Sequence, residues 1–579
     1  MRHCLLLLAS LLLFAIAPIQ QTSAQLDAQA EMVLVNGNIY TVDDARPNAT
    51  AIAIGKGRIL RVGSDESIKS LINNETEVID LGQKFVMPGF IEGHAHFVGL
   101  GESKMMLNLA TAKTWDDVVE QVEEAARKTP PGEWIIGRGW HQSKWEKAPS
   151  PNVDGYPTTE QIDKVSPDHP VLLTHASGHM SFANGYAMRL AGVNESTKPP
   201  SGGTILKNEA GQPIGVFRET AQGLISRARS VAMFKQTEQE RAARFQRAVE
   251  LAGQECVAKG VTSFQDAGST LATVRNLKEM ADLGKIPVRL WVMIRDSNDR
   301  MKGRLKDYKM IGYGDDRLTV RALKRSIDGA LGPHGAWLLD PYTDMSTSSG
   351  LNTATIELVT ETAQLALKND FQMCVHAIGD RANREVLDIY EGLFSANRSN
   401  LPRRWRIEHA QHLHPDDIPR FGQLGVIASM QAVHCTSDAI FVPTRLGPRR
   451  SEEGAYVWRS LMETGAIVTN GTDAPVEDVD PIASFYASVT RKLDNGVAFF
   501  PKQNMTREEA IRSYTIDCAY AAFEETQKGS LVAGKFADIV VLSNDLLKCK
   551  DEEIKSTEVL MTILDGEIVY QKPGREFVK

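Results

Sequence analysis

The chain has few cysteines and no long run of positive charge. Its six cysteines form no CxxC pair, so they provide no metal-binding spacing. A chain of this length, 579 residues, can depend on its apolar core, so a disulfide framework is not implied either. Acidic residues outnumber basic ones and the net charge is −8. Without a Lys/Arg-rich segment, we expect no nucleic-acid partner.

Beyond its N-terminus, the chain also lacks an apolar run long enough to cross a membrane. Arg2 and His3 precede an apolar stretch over residues 5–16, and small residues follow it at 22–24. This layout predicts a cleaved signal peptide over residues 1–24, and therefore export to a periplasm or to the medium. The alternative interpretation is an uncleaved membrane anchor.

Short β-like segments separated by turn residues occur at both ends of the chain. The N-terminal segments are 32–35, 38–42, 51–54, 58–62 and 77–80, and the C-terminal ones are 537–542, 559–564 and 567–570. Neither end has enough strands for an independent sandwich. We therefore predict one small β-sandwich domain built from residues 25–86 and 529–579.

Between the two ends, β-like segments alternate with helical ones, which is the pattern of a parallel α/β fold. Eight strands are predicted, at 86–91, 261–265, 288–293, 319–327, 372–377, 405–409, 426–430 and 466–470. Eight such strands predict a (β/α)8 TIM-type barrel over residues 87–528. The long interval after the first strand predicts an inserted subdomain or lid over residues 97–235, because structureless loops of that length are uncommon.

Polar residues suited to chemistry follow the predicted barrel strands. His94 and His96 come after the first strand, and residues i and i+2 of an extended segment point to the same side. Two imidazoles there suit zinc or a similar metal, although an HxH alone is often a polar strand end bonded to loop backbone. Later strand ends carry four further residues of this kind: Lys324, His376, His409 and Asp473. Because a barrel brings its strand tips together, these residues predict one site.

The segments that carry these residues resemble the amidohydrolase superfamily of metal-dependent hydrolases. The resemblance is closest to the branch that includes N-substituted formamide deformylases, and it extends over nearly all the chain after the signal segment. The matching segments are residues 88–96, 134–140, 177–179, 324 with 328–329, 376–380, 407–411, 428–431, 471–475 and 534–540. One departure follows Gly329, where relatives often have Ser-Arg and this chain has Pro333-His334.

The resemblance implies that one or two divalent ions bind here, with six residues as ligands: His94, His96, Lys324, His376, His409 and Asp473. The types of these residues favour zinc. Lys324 would be carboxylated and bridge two ions; the alternative is an interior lysine paired with Asp328. The bound metal would lower the pKa of water, so that hydroxide attacks the carbonyl of an N-substituted amide or formamide. Asp473 would act as general base and then as general acid.

Other assignments stay open at this stage. His179 and Trp140 are candidate substrate-binding residues, but a loop histidine packed on a lid tryptophan is an alternative. His412 and His414 are predicted to be solvated loop residues. The same site could hydrolyse a cyclic amide, an acylated amino acid or an ester. A binding protein that keeps the barrel without turnover is a further alternative, which the complete ligand set disfavours. The expected partner is a small-molecule substrate, and the oligomeric state is open, a homodimer included.

Overall fold

The computed structural model describes residues 29–142, 145–175, 180–200, 203–234, 236–332, 334–399 and 402–578. The predicted signal peptide over residues 1–24 lies outside these ranges. Within them, no helix has both the length and the apolar character needed to cross a bilayer.

Eight parallel strands form the centre of the molecule. They are β1 (Phe90–Ala95), β2 (Val261–Ser269), β3 (Arg289–Ile294), β4 (Leu318–Ser326), β5 (Gln372–Ala377), β6 (Arg406–His409), β7 (Ile427–Met430) and β8 (Val468–Asn470). They pair in sequence order from β1 to β8. The chain after β8 returns to β1, where the Asp473 N–H donates to the His94 carbonyl at 2.7 Å. The predicted TIM-type α/β barrel is therefore confirmed.

The first predicted strand, 86–91, has the wrong bounds. Phe85–Pro88 pairs antiparallel with Ile539–Leu542 in a different sheet, and β1 begins only at Phe90. The break falls at Gly89, where a Cβ would lie 2.3 Å from the Thr262 side chain. Only glycine, which has no Cβ, fits so close to the Thr262 side chain. The apolar run is divided at this residue, and its two parts belong to different sheets.

Helices cover the outside of the barrel. Two of the long helices begin at threonine caps that satisfy free backbone N–H groups: Thr237 caps Glu238–Ala258 and Thr355 caps Ile356–Asn369. The other α-helices of this region are Phe97–Lys104, Leu271–Asp282, Asn298–Met301, Leu305–Tyr308, Tyr313–Asp316, Asp380–Ala396, Ile418–Leu424, Ala432–Asp438, Val442–Gly454, Trp458–Glu463, Pro481–Thr490, Arg507–Ser513 and Ile516–Ala521. Short 3-10 turns lie at Pro415–Asp417 and Pro501–Gln503, and strand Met310–Gly312 pairs with β4.

The chain between β1 and β2 folds around a second sheet. Its strand order is Gly203–Lys207, Pro213–Glu219, Met180–Ala183, Val171–His175, Ile135–Trp140 and Leu107–Asn108. Helices Trp115–Lys128, Glu160–Val165, Gly185–Leu190 and Gln222–Phe234 accompany it, with a small ladder of Asn152–Val153 and Tyr156–Pro157. Buried aromatic residues, among them Trp115, Trp140 and Phe182, give this region an apolar core of its own.

Two sheets contain the strands of the chain ends. One has the order Arg58–Gly63, Ala51–Gly55, Met32–Val35 and Glu77–Asp80. The other has the order Glu567–Gln571, Val559–Leu564, Ile539–Leu542, Phe85–Pro88, Asn38–Tyr40 and Asn48–Ala49, so it joins strands from both termini. Short helical turns lie at Asp65–Ile68, Lys69–Leu71 and Asp551–Ile554. A single apolar cluster includes Leu34 and Ile52 of the first sheet and Ile539 and Ile563 of the second.

Candidate active site

A cavity of about 660 Å³ opens at the carboxyl ends of the barrel strands. Six of the predicted site residues line it: His94, His96, Lys324, His376, His409 and Asp473. These side chains come from five strand ends that are far apart in sequence. The barrel brings them together because parallel strands all end at the same face.

Trp140, predicted to contact substrate, lies elsewhere. It is 0% exposed in the core of the inserted region, and its indole N–H donates to the Leu173 carbonyl at 2.9 Å. It stacks on Trp145 and contacts the edge of His175. An aromatic side chain with its polar atom satisfied in this way is core packing, so the prediction for Trp140 is wrong. His179, the other predicted substrate contact, lies outside the described residues.

The ring of His94 is fixed from behind by a buried charge network. The Glu408 carboxylate contacts its Nδ1 atom, and Arg406 Nη2 donates to the same carboxylate at 3.0 Å. Arg406 also donates to the Gly93 carbonyl at 2.7 Å. A carboxylate at Nδ1 keeps the proton there and leaves the Nε2 lone pair facing the cavity. Burial lowers the pKa of His94 to about 4, so the ring is neutral at pH 7.

Asp473 lies opposite His94 and His96, at the carboxyl end of β1. Its Oδ1 atom is 3.5 Å from His94 Nε2 and 3.3 Å from His96 Nε2. In the described part of the chain, no group donates a hydrogen bond to this buried oxygen. Burial alone would raise the pKa of the Asp473 carboxyl, but the neighbouring imidazoles, His96 first, hold that pKa well below its usual range. The side chain is therefore an ionised acceptor aimed at two imidazole nitrogens.

A second group of donor atoms lies beside the first. His409, His434 and Asp473 each offer a ligand atom within 4.8 Å of the other two. His409 Nδ1 is 2.6 Å from Gln431 Oε1, and the Gln431 amide donates to the Ser429 carbonyl at 3.1 Å. The His409 and Asp473 backbones have φ of 75° and 59°, values that are uncommon outside glycine and cluster at functional sites.

Sequence reasoning missed His434. It lies on helix Ala432–Asp438, which follows β7, and it lines the same cavity. Parallel strands all end at one face of the barrel, so the helix that follows a strand begins at that face. His434 could have been predicted if the start of the helix after β7 had been considered together with the strand ends. Glu408 was missed as well, because it sits one position before His409 and its role depends on a contact with a distant strand.

Lys324 is buried in the cavity floor with 2% of its surface exposed. Within the described ranges its ammonium forms no hydrogen bond and no ion pair. Burial lowers its pKa from the ordinary lysine value. The alternative pairing with Asp328 does not form, because that carboxylate accepts the backbone N–H groups of Ile378 and Gly379 at 3.0 and 2.8 Å.

His376 lines the cavity between Asp328 and His409. Its Nε2 atom lies 3.4 Å from Asp328 Oδ1, and its ring centroid is 4.5 Å from that of His409. His376 thus lies beside the two groups of donor atoms and lines the same cavity. Several imidazoles and one carboxylate converge on the cavity, and these are ligand types that divalent zinc prefers, so the residues fit a metal ion.

Comparison with known proteins agrees with this geometry. The amidohydrolase family model matches residues 77–570. Protein LONG AFTER FAR-RED 3 of Arabidopsis thaliana is 32% identical over 559 residues, covering 93% of this chain and 92% of that protein. The N-substituted formamide deformylase of Arthrobacter pascens is 29% identical over 563 residues, covering 94% and 99% respectively.

A solved structure matches over a similar range. The crystal structure of an uncharacterized metal-dependent hydrolase from Pyrococcus furiosus has a TM-score of 0.72 and 27% identity, and the match covers 89% of this chain and 100% of that one. Fold and family together define a metal-dependent hydrolase that acts on carbon–nitrogen bonds. The chain belongs to the amidohydrolase family. The predicted family and enzyme class are therefore confirmed.

Proposed function

We propose that this enzyme hydrolyses N-substituted amides or formamides, with zinc as its divalent metal. The observation that supports this most directly is the convergence of three possible ligand atoms in the cavity. Asp473 Oδ1 lies 3.5 Å from His94 Nε2 and 3.3 Å from His96 Nε2. The relative from Arthrobacter pascens is named an N-substituted formamide deformylase, which corresponds to the proposed substrate class. A cavity of about 660 Å³ suits a small-molecule substrate.

His94, His96 and Asp473 would hold the ion, and His409 and His376 would extend the ligand set within the same cavity. A divalent ion bound there lowers the pKa of a water molecule and polarises a carbonyl oxygen. The protein residues supply the positioning. Glu408 holds the His94 ring through Nδ1, and Gln431 holds the His409 ring in the same way.

Asp473 is the residue proposed to move the proton. Its Oδ1 atom has no hydrogen-bond donor within the described ranges and lines the cavity, so it can accept a proton from a water molecule there. The same carboxyl then delivers that proton to the leaving nitrogen, since an amine leaves more easily than its anion. One group thus acts first as general base and then as general acid.

Lys324 is proposed to be carboxylated and to serve as an anionic oxygen ligand. A buried ammonium without an ion-pair contact is costly even with the Glu408 and Asp473 carboxylates nearby, and its positive charge would be repelled by metal ions. Burial lowers the pKa of Lys324 and so favours the neutral amine, which is the form that reacts with carbon dioxide. Carboxylation would turn the repulsion into attraction.

Two proposals concern the rest of the chain. The terminal sheets form one β-sandwich domain, supported by their shared apolar cluster, and its N-terminal part extends to the end of strand Phe85–Pro88. It flanks the hydrolase barrel, which begins with β1 at Phe90 and carries the insertion or lid expected over residues 97–235. The signal over residues 1–24 directs the protein out of the cytoplasm, to a periplasm or the medium.

The test is a substrate panel of N-substituted formamides, longer N-substituted amides, acylated amino acids, cyclic amides and esters. Protein stripped with a chelator and protein reloaded with zinc are assayed side by side. We expect the formamides or amides to be hydrolysed only by the loaded protein. If that protein hydrolyses only esters or cyclic amides, the proposed substrate class is wrong.

A further inference from the structure

We propose that His434 is a metal ligand and that, with His409 and Asp473, it forms a second cation subsite next to the one formed by His94, His96 and Asp473. The inference rests on the metal dependence in the proposed function, but its test measures binding and not turnover. The ligands implied by the family resemblance do not include His434.

The geometry of the three side chains supports the subsite. Their ligand atoms all lie within 4.8 Å of one another, a separation that one ion can span with bonds of about 2.0–2.2 Å after small side-chain movements. The His434 and His409 rings are nearly parallel, with an interplanar angle of 17° and centroids 6.2 Å apart. Both rings lie at the same end of the barrel, since His409 is the last residue of β6 and His434 lies on the helix that follows β7.

His434 also has a buried atom that lacks a partner. The side chain is only 9% exposed, and within the described residues its Nε2 atom has no hydrogen-bond partner. Leaving a buried polar atom unpaired costs about 1–3 kcal/mol, so such atoms usually have a partner that is not a protein group. His409 and Asp473, which are both electron-pair donors, offer ligand atoms within 4.8 Å of that of His434. Three converging donors favour a cation.

The orientation of His409 fits the same interpretation. The Gln431 amide donates to the Ser429 carbonyl, so its Oε1 atom faces His409 and must accept from Nδ1–H. The proton of the neutral ring is then on Nδ1, and Nε2 is left with a free lone pair. Gln431 therefore holds His409 in the tautomer that a metal requires.

Asp473 belongs to both donor groups, and a carboxylate has two oxygens with which to serve two ions. In two-metal hydrolases the ions lie roughly 3.5–4 Å apart, a distance that one shared carboxylate can bridge. The cavity would thus hold two ions with Asp473 between them.

The experiment compares His434→Asn with wild-type protein and with His414→Asn. His414 is a partly exposed histidine whose ring pairs with Asp416 at 3.5 Å, so this control makes the same substitution away from the cavity. Chelator-stripped proteins are titrated with zinc by calorimetry, and the zinc retained after desalting is measured by elemental analysis. We expect two equivalents in wild type and in His414→Asn, and one in His434→Asn.

Two results would overturn the proposal. One is a His434→Asn protein that binds two equivalents with wild-type affinity, and the other is a wild-type protein that binds a single equivalent. Circular dichroism checks that the variant is folded. If it is not, His434→Gln, which keeps more of the side-chain volume, takes its place, and the wild-type stoichiometry remains decisive.

Discussion

The Glu408 carboxylate contacts the Nδ1 atom of His94 at the centre of the barrel. Both side chains are buried, and the guanidinium of Arg406 lies on the far side of the carboxylate, with Nε 2.7 Å from Oε1. Burial opposes ionisation of Glu408, but Arg406 and then His94 hold the pKa of its carboxyl well below the usual range. A permanently charged carboxylate thus fixes the ring that faces the cavity.

Replacing Glu408 by glutamine should weaken both metal binding and folding. Losing a carboxylate behind a ligating histidine typically lowers metal affinity about 10–100-fold. The buried Arg406 is also left without its counter-charge, which should reduce the free energy of unfolding by about 3–5 kcal/mol. Zinc titration and urea unfolding measure the two effects. Glu453→Gln, in a partly exposed pair with Arg449, should change neither, and a Glu408→Gln protein that behaves like this control would contradict the role given to Glu408.

Replacing Lys324 by alanine should reduce the number of bound zinc ions from two to one, because an anionic bridging ligand is lost. Wild-type protein loaded in the presence of ¹³C-bicarbonate should show a carbamate carbon signal that Lys324→Ala lacks. Lys278→Ala, at a half-buried lysine that pairs with Asp282 away from the cavity, is the matched control. An unchanged zinc content together with no carbamate signal in wild type would show that Lys324 is an ordinary buried amine.

The barrel and six cavity residues could be predicted from the sequence because both follow from local patterns. Alternating strands and helices specify a parallel barrel, and a polar residue such as His409 directly after an apolar strand must then face one end of it. These inferences need no knowledge of how side chains pack.

The predictions that failed depended on tertiary packing. The apolar run around Gly89 is predicted as one strand, although it is divided at Gly89 between two sheets. His412 follows β6 like a loop residue, yet it is 2% exposed. His434 lies beyond its strand end on a helix, and the packing of that helix determines where its ring points. Trp140 sits in a segment matching the family, but the core of the insertion encloses it.

The role of Trp140 as a core residue of the insertion can be tested by mutation. Trp140→Ala should lower the free energy of unfolding by about 3–5 kcal/mol, because it removes a large buried side chain. Under conditions where the variant is folded, its KM should match the wild-type value. Val476→Ala, at the rim of the cavity and 68% exposed, should do the reverse and alter KM with little effect on unfolding. A large increase in the KM of folded Trp140→Ala would show instead that Trp140 contacts the substrate.

His412 should make the metal-free protein sensitive to acid. Burial lowers its pKa to about 3, whereas an unfolded histidine titrates near 6.5. Between these values the unfolded chain binds more protons, so stability falls as pH decreases below 6.5 and levels off near 3. The contribution of this residue is about 1.4 kcal/mol per pH unit.

Urea midpoints in chelator at pH 7, 6 and 5 measure this dependence. His412→Gln should reduce the slope with pH, whereas His414→Asn should keep the wild-type slope. Equal slopes in all three proteins would mean that His412 is not buried in its neutral form.

Asp473 is the residue proposed to transfer the proton in a metal-dependent amide hydrolysis. The most direct measurement is the hydrolysis rate of Asp473→Asn, expressed per bound zinc ion, for the best amide or formamide of the wild-type enzyme. Loss of a positioned acid–base group should lower that rate by about 10²–10⁴-fold. A rate per zinc ion equal to that of the wild type would contradict the claim.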